Sequence, residues 1–185
     1  QENVDIGVIG NIGGAGDAPI LYDVSRPING DKAKVLGAEF GAQHFFQNGI
    51  GFRMSYTYTD TKAYIDGVHV GPLEGVPKSA FSAALMYEDN KWDAQIAADY
   101  SGKNTELNDA VGGLSQIGKS VTWVTASVAY KVFDGLTVSL EGRNLTDAFY
   151  RSNMGRSDML GTDAGAGTIF ETWGRTVILG VNAKF

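Results

Sequence analysis

The chain has 185 residues and a net charge of −6; it is 43% hydrophobic and 19% charged, with 25 Gly, 4 Pro and no Cys. This composition excludes wholesale disorder, a disulfide framework and thiolate metal sites. The acidic balance argues against a nucleic-acid partner, because neutralising phosphates needs Lys and Arg.

No apolar run reaches the roughly 18 residues of a transmembrane helix, but barrel strands cross membranes with a diluted, alternating signal. At the start, Val4, Ile6 and Val8 alternate weakly with Asp5, Gly7 and Ile9. The opening lacks the basic start and apolar run of a signal peptide, so the sequence reads as a mature product or a piece of a longer chain. From Lys34, Leu36, Ala38, Phe40 and Ala42 oppose Gly37, Glu39, Gly41 and Gln43. Ile50, Phe52, Met54, Tyr56 and Tyr58 then oppose Gly51, Arg53, Ser55, Thr57 and Thr59. Next come Phe81, Ala83, Leu85 and Tyr87 against Ser82, Ala84, Met86 and Glu88, and Trp92, Ala94, Ile96, Ala98 and Tyr100 against Asp93, Gln95, Ala97, Asp99 and Ser101. Val124, Ala126, Val128, Tyr130 and Val132 follow, then Leu136, Val138 and Leu140. The last run sets Val177, Leu179, Val181, Ala183 and Phe185 against Thr176, Ile178, Gly180, Asn182 and Lys184.

A period of two predicts an all-β chain of about eight strands, each roughly ten residues long, enough to cross the hydrocarbon layer at a tilt. The polar set is mostly Gly, Ser, Thr, Ala and Gln, which suits a crowded or wet lumen better than the Lys- and Glu-rich outside of a soluble sandwich. Tyr56, Tyr58, Tyr87, Trp92, Tyr100, Tyr130 and Phe185 fall near strand ends on the apolar face, as the aromatic girdles of a membrane barrel do. Short links at 47–49, 89–90 and 133–135 alternate with long ones at 13–32, 66–78, 102–120 and 151–174, predicting turns on one rim and extended loops on the other.

Leu140-Glu141-Gly142-Arg143-Asn144-Leu145-Thr146-Asp147, followed by Tyr150, resembles the penultimate strand of TonB-dependent outer-membrane receptors. The run from Trp173 to Phe185 resembles their closing strand, and Asn29 to Glu39, Tyr56 to Asp60 and Gly75-Val76-Pro77-Lys78 are similar to the same family. The resemblance covers nearly the whole chain, strands more than loops. It implies that residues 1–185 are the C-terminal portion of a transmembrane antiparallel barrel of about 22 strands, closed by a plug domain that this chain does not include. It also implies TonB-energised uptake of a scarce ligand of siderophore, carbohydrate or vitamin class at the bacterial outer membrane. The implied partners are the remaining barrel strands and plug of the same receptor, the TonB complex reached through that plug, outer-membrane lipid and the barrel assembly machinery.

Ligand contacts are expected in the long loops, where Tyr22, Arg26, His69, Arg151, Arg156, Asp158, Phe170 and Trp173 offer stacking and bidentate groups; a solvated loop residue is the plainer reading of each. Glu39, Arg53, Glu88, Asp93, Asp99, Lys131, Glu141, Arg143 and Lys184 share the lumen parity, for contact with plug or ligand or for ion pairing between strands. Val177, Leu179, Val181, Ala183 and Phe185 form the expected assembly signal. Asn144-Leu145-Thr146 matches a glycosylation triplet, a coincidence in a membrane strand. His44 and His69 lie in different segments and suggest no metal site. The Gly-rich runs 10–16 and 161–167 lack the Lys-Ser/Thr of a phosphate loop. No catalytic residue and no cofactor is assigned. The rival readings are a self-contained eight-stranded barrel with a structural or adhesive role, whose interior these Gly and Ala would underfill, and a membrane hydrolase barrel, for which neither His is placed.

Overall fold

The computed structural model describes residues 2–3, 23–24, 32–111, 114–156 and 166–184. Two compact units divide the chain. In residues 1–30, β1 (Glu2–Asn3) pairs antiparallel with β2 (Asp23–Val24). The strand expected from Val4 to Val8 lies outside the described residues, as do Tyr22, Arg26, Asp158 and Phe185.

In residues 31–185, the main sheet is an antiparallel meander. Its strands are β3 (Lys32–Phe45), β4 (Ile50–Ile65), β6 (Ser79–Glu88), β7 (Trp92–Ser101), β10 (Val121–Phe133), β11 (Leu136–Arg143) and β14 (Thr176–Ala183). They pair in the order β14-β11-β10-β7-β6-β4-β3, and the short β5 (Val68–Gly71) adds to the end of β4. All-β architecture follows directly from the two-residue period, because a strand sends successive side chains to opposite faces.

The register keeps each predicted face intact across the main sheet except at the β10 bulge between Lys131 and Phe133, where Phe133 takes the place opposite Leu136 that alternation would give Val132. Tyr56 stands opposite Phe40 on one side and Phe81 on the other, Tyr100 opposite Phe81, Val128 opposite Ala94 and Leu140, and Leu140 opposite Leu179. Directly paired residues point the same way, so one continuous face collects the large apolar groups. That face is open: Leu36 is 73% exposed and Leu179 72%. The opposite face is sheltered and small, with Ala84 and Ala97 buried and directly paired.

Aromatic groups gather at both ends of the apolar face. Towards the short turns, Trp92 meets Tyr130 at 4.5 Å between ring centroids, and His44 meets Phe46 at 4.5 Å. Towards the other end stand Tyr56, Tyr58, Phe81 and Tyr100; Trp92 and Tyr100 are separated by roughly 27 Å of extended chain.

Three tight turns close one edge. Gly49 takes φ +82° between β3 and β4, and a Cβ there would overlap the carbonyl oxygen of Glu88. Asp89 caps the β6–β7 turn, accepting from the Lys91 and Trp92 amides at 2.7 Å each and from the Tyr87 hydroxyl at 2.8 Å. Those donors, the two backbone amides foremost, hold its carboxyl below the usual range. Each turn also gives a carbonyl to the strand beyond: Gly49 to the Glu88 amide, Lys91 to Lys131 and Gly135 to Lys184, at 2.7–2.8 Å.

The other edge differs from expectation. The segments expected as long loops contain β8 (Asn104–Val111), β9 (Leu114–Gly118), β12 (Phe149–Arg156) and β13 (Ala166–Thr172). These make a second antiparallel sheet in the order β13-β12-β9-β8. Bulges interrupt both ladders: the pairing shifts between Thr105 and Leu107 and between Ser152 and Asn153.

Candidate functional site

The rim away from the tight turns carries the chemistry. At its base, the Asn144-Leu145-Thr146-Asp147 turn ends β11 with two left-handed residues, Asn144 at φ 52° and Asp147 at φ 55°. Asn and Asp tolerate this region better than most residues. The buried Asn144 amide donates to the Ala148 and Gly174 carbonyls at 2.9 and 3.0 Å, and its oxygen accepts from the Ala148 amide at 2.8 Å. With its amide committed to these bonds, Asn144 has a structural task in place of the sugar attachment its triplet suggests.

Above the turn, a polar network locks the second sheet across its hairpins. Glu106 accepts from the Tyr150 hydroxyl and the Gln116 amide, and Gln116 also donates to the Ser152 hydroxyl at 3.0 Å. Ser152 is fully buried. Burial first, and the Glu106 carboxylate second, push the Tyr150 phenol well above its ordinary range. Gly118 sits under this cluster, where any Cβ would run into the Tyr150 hydroxyl and the Asn104 side chain. The Lys119 amide donates to the Arg151 carbonyl at 2.9 Å, so the two hairpins hold one another.

Of the residues expected to contact ligand, several reach this rim in separate groups. Trp173, 58% exposed, meets Trp123 edge-on with ring centroids 5.2 Å apart. Arg151 lies opposite Phe170 on neighbouring strands, and Arg156 lies opposite Leu114 at the end of β12. His69 stacks near Tyr64 at 5.6 Å and lines a cleft of about 410 Å³ with Asp60, Lys62, Lys78, Lys103 and Thr105. Strand β9 connects the groups, since Ile117 lines that cleft while pairing with Asn153.

Trp123 escaped sequence analysis although its parity marked it. It shares the sheltered face with Thr125 and Ser127 and stands opposite Asp99, an unusual place for an indole on an otherwise small, polar surface. Glu106 and Gln116 were equally hidden, because they fell in a segment expected as a loop, where parity has no meaning; Tyr150 entered only through the family resemblance.

The charged residues of lumen parity have varied partners. Asp99 accepts from Ser82 at 2.6 Å, Arg143 pairs with Glu141 two residues earlier at 2.5 Å, and Lys131 pairs with the turn residue Asp134 at 2.5 Å. These ion pairs lie along a strand or at a turn, unlike the pairing between strands that was one of the two expectations for this set. Glu39 stands opposite Thr57, Arg53 opposite Gln43 and Ala84, and Asp93 opposite Glu88 and Ala129. Val177, Leu179, Val181 and Ala183 line the apolar face of β14. Among the described residues no cluster of three or more His, Asp or Glu could hold a metal ion.

Comparisons place this geometry among known proteins. The family model described as TonB dependent receptor-like, beta-barrel, matches residues 3–145. The iron-regulated outer membrane virulence protein, in two strains of Vibrio cholerae serotype O1, is 26% identical over 121 residues, which are 65% of this chain and 19% of that protein. The crystal structure of the siderophore receptor PiuA from Acinetobacter baumannii matches with a TM-score of 0.59 and 23% identity, over 83% of this chain and 22% of that one. The chain thus spans about a fifth of the length of the proteins it matches.

Proposed function

The chain belongs to the TonB-dependent receptor β-barrel family of the outer membrane, and from that premise we propose that it supplies the closing strands of an importer for a ferric siderophore. The apolar face of the main sheet then meets lipid and the sheltered face lines the lumen. The tight turns lie in the periplasm, and the β8–β9 and β12–β13 hairpins face outward. A plug domain and earlier strands complete the barrel in the longer protein, and TonB acts through that plug.

The observation that carries this reading is the rim of the sheltered face. There the Trp123–Trp173 pair stands beside two hairpins that are held by a buried polar network and carry Arg151 opposite Phe170. Indoles and cations offer stacking and charge to an aromatic or anionic chelate. The interlocked hairpins hold them in place before binding, which lowers the ordering cost of recognition.

The test is accumulation of a labelled ferric siderophore by iron-limited cells. Loss of the full-length receptor should abolish uptake of its ligand, loss of TonB should do the same, and Trp123→Ala with Trp173→Ala should weaken binding at unchanged receptor level. Uptake that ignores both the receptor and TonB overturns the reading. A self-contained structural barrel would give that result.

A further inference from the structure

Near the tight turns, the sheltered face carries an aromatic ring among its small and polar residues. Phe45 stands on that face of β3 and is 50% exposed. It pairs directly with Gly51, which pairs in turn with Met86. Three atoms of the Phe45 ring lie equally close, at 2.8 Å, to the place a Cβ on Gly51 would take. The ring is therefore laid over the bare backbone of Gly51, with its other face open.

In the adjoining row Gln43 pairs with Arg53, and Arg53 with Ala84. Among the described residues, no ion pair or hydrogen bond engages Arg53. Gln43, His44, Phe45, Arg53 and Met86 line a concavity of about 440 Å³, a size that holds a small ligand. A cation beside an open aromatic ring repeats the chemistry of Arg151 and Phe170 at the outer rim.

The wall between that rim and this concavity is low. The Trp123 row continues through Asp99 and Ser82 to Ser55, and the row beside it runs from Thr125 through the buried Ala97 and Ala84 to Arg53. Three strand spacings and two residues separate Trp123 from Arg53, about 16 Å. No side chain between them is larger than Asp or Thr, and Asp99 is held by the Ser82 hydroxyl at 2.6 Å. Beyond Met86, Glu88 and Asp93 stand directly opposed; their carboxylates repel an anion and confine it to the β3–β4 side.

We infer that Phe45 and Arg53, with Gln43 and Met86, form a second, inner binding site for an anionic aromatic chelate admitted at the outer rim. Phe45 stacks on the chelate's ring, and Arg53 donates charge-assisted hydrogen bonds to its oxygens. The Gln43 amide adds a further donor. The inference rests on the importer reading above and gives the concavity to the cargo; the plug domain is the rival occupant.

The test uses the full-length receptor purified in detergent, with both rims open and its methionine methyl groups labelled with carbon-13. The probe is the iron(III) complex of dihydroxybenzoate, an anionic aromatic chelate whose unpaired electrons broaden nearby methyl signals. Its gallium(III) analogue has no unpaired electrons and serves as control. The Met86 signal, identified by its absence in Met86→Leu, should vanish with the iron complex and persist with the gallium one. Met54, on the opposite face of β4, should keep its signal throughout. Arg53→Gln with Phe45→Ala should raise the iron concentration needed by about tenfold or more, and should slow uptake by cells with binding at the cell surface unchanged. A Met86 signal untouched by the iron complex overturns the inference and leaves the concavity to the plug. Equal loss of the Met54 signal, or undiminished loss at Met86 in the double variant, overturns it too. If the double variant does not fold, the iron and gallium complexes on the unaltered receptor decide alone. TonB-dependent uptake with Met86 untouched fells this site alone; loss of the Met86 signal in a receptor that imports no chelate fells the importer reading alone.

Discussion

The Asn144 side chain reaches across the rim to donate a hydrogen bond to the Gly174 carbonyl at 3.0 Å, fastening the entry of β14 to the exit of β11. The same amide closes its own turn on Ala148. One side chain thus fixes where the last two strands of the sheet meet and where the β12–β13 hairpin leaves them. Asn144→Ala removes these bonds, leaves two part-buried carbonyls without that donor and forces a left-handed alanine, at about 2–4 kcal/mol in all. The full-length receptor should lose heat stability, and amide exchange should rise around Gly174 to Thr176. Asn144→Gly, which relieves the backbone, should recover only part of the loss. Unaltered exchange in the alanine variant would contradict the role.

Tyr150 and Glu106 hold the two hairpins together, so Tyr150→Phe should free the β8–β9 hairpin at a cost of about 1–2 kcal/mol. Hydrogen exchange at Thr105 and Ile117 would report it. The pH dependence has a defined sign. Burial and Glu106 raise the phenol above its ordinary 10.0, so its contribution is complete below pH 10.0 and fades only as pH climbs through the higher folded value. Protection that falls off below pH 10.0 would count against this coupling.

Gly49 and Gly67 both adopt positive φ, at 82° and 76°, but only Gly49 has a neighbour in the way. An alanine at 67 meets backbone strain alone, about 1 kcal/mol. At 49 the added Cβ also strikes the Glu88 carbonyl, which accepts no displacement without breaking the turn, and the cost should exceed about 2 kcal/mol. Chemical denaturation of the two variants in detergent should rank them in that order. Equal stability would show that the β3–β4 turn relaxes freely.

The two faces of β14 can be separated by one substitution on each. Leu179→Arg puts charge on the open apolar face and should cost about 2–4 kcal/mol in a bilayer. Asn182→Arg, on the opposite face, should be close to neutral. Refolding yields into lipid vesicles measure both, and a reversed order would exchange lipid and lumen faces.

The sequence by itself determined the strands of the main sheet and their faces. In a half-exposed sheet, register and side-chain period are the same constraint: a slip of one residue would turn Leu36, Tyr56, Leu85 and Leu179 to the wrong side. The pairings therefore keep the set that alternation had already defined, apart from the bulge between Lys131 and Phe133 that puts Phe133 opposite Leu136. The tight turns were legible for a similar reason, since Asn48-Gly49 and Asp134-Gly135 have few alternatives to a reversal.

The rim was decided only in three dimensions. Hairpins β8–β9 and β12–β13 are stabilised by one another, through bonds such as Gln116 to Ser152 across 36 positions of sequence, and neither has a strong alternating pattern of its own. The Trp123–Trp173 pair and the concavity of Phe45, Arg53 and Met86 likewise depend on which strands become neighbours. Alternation states which way a side chain points. What it points at is set by pairing between distant segments, a property of the folded sheet that no local pattern carries.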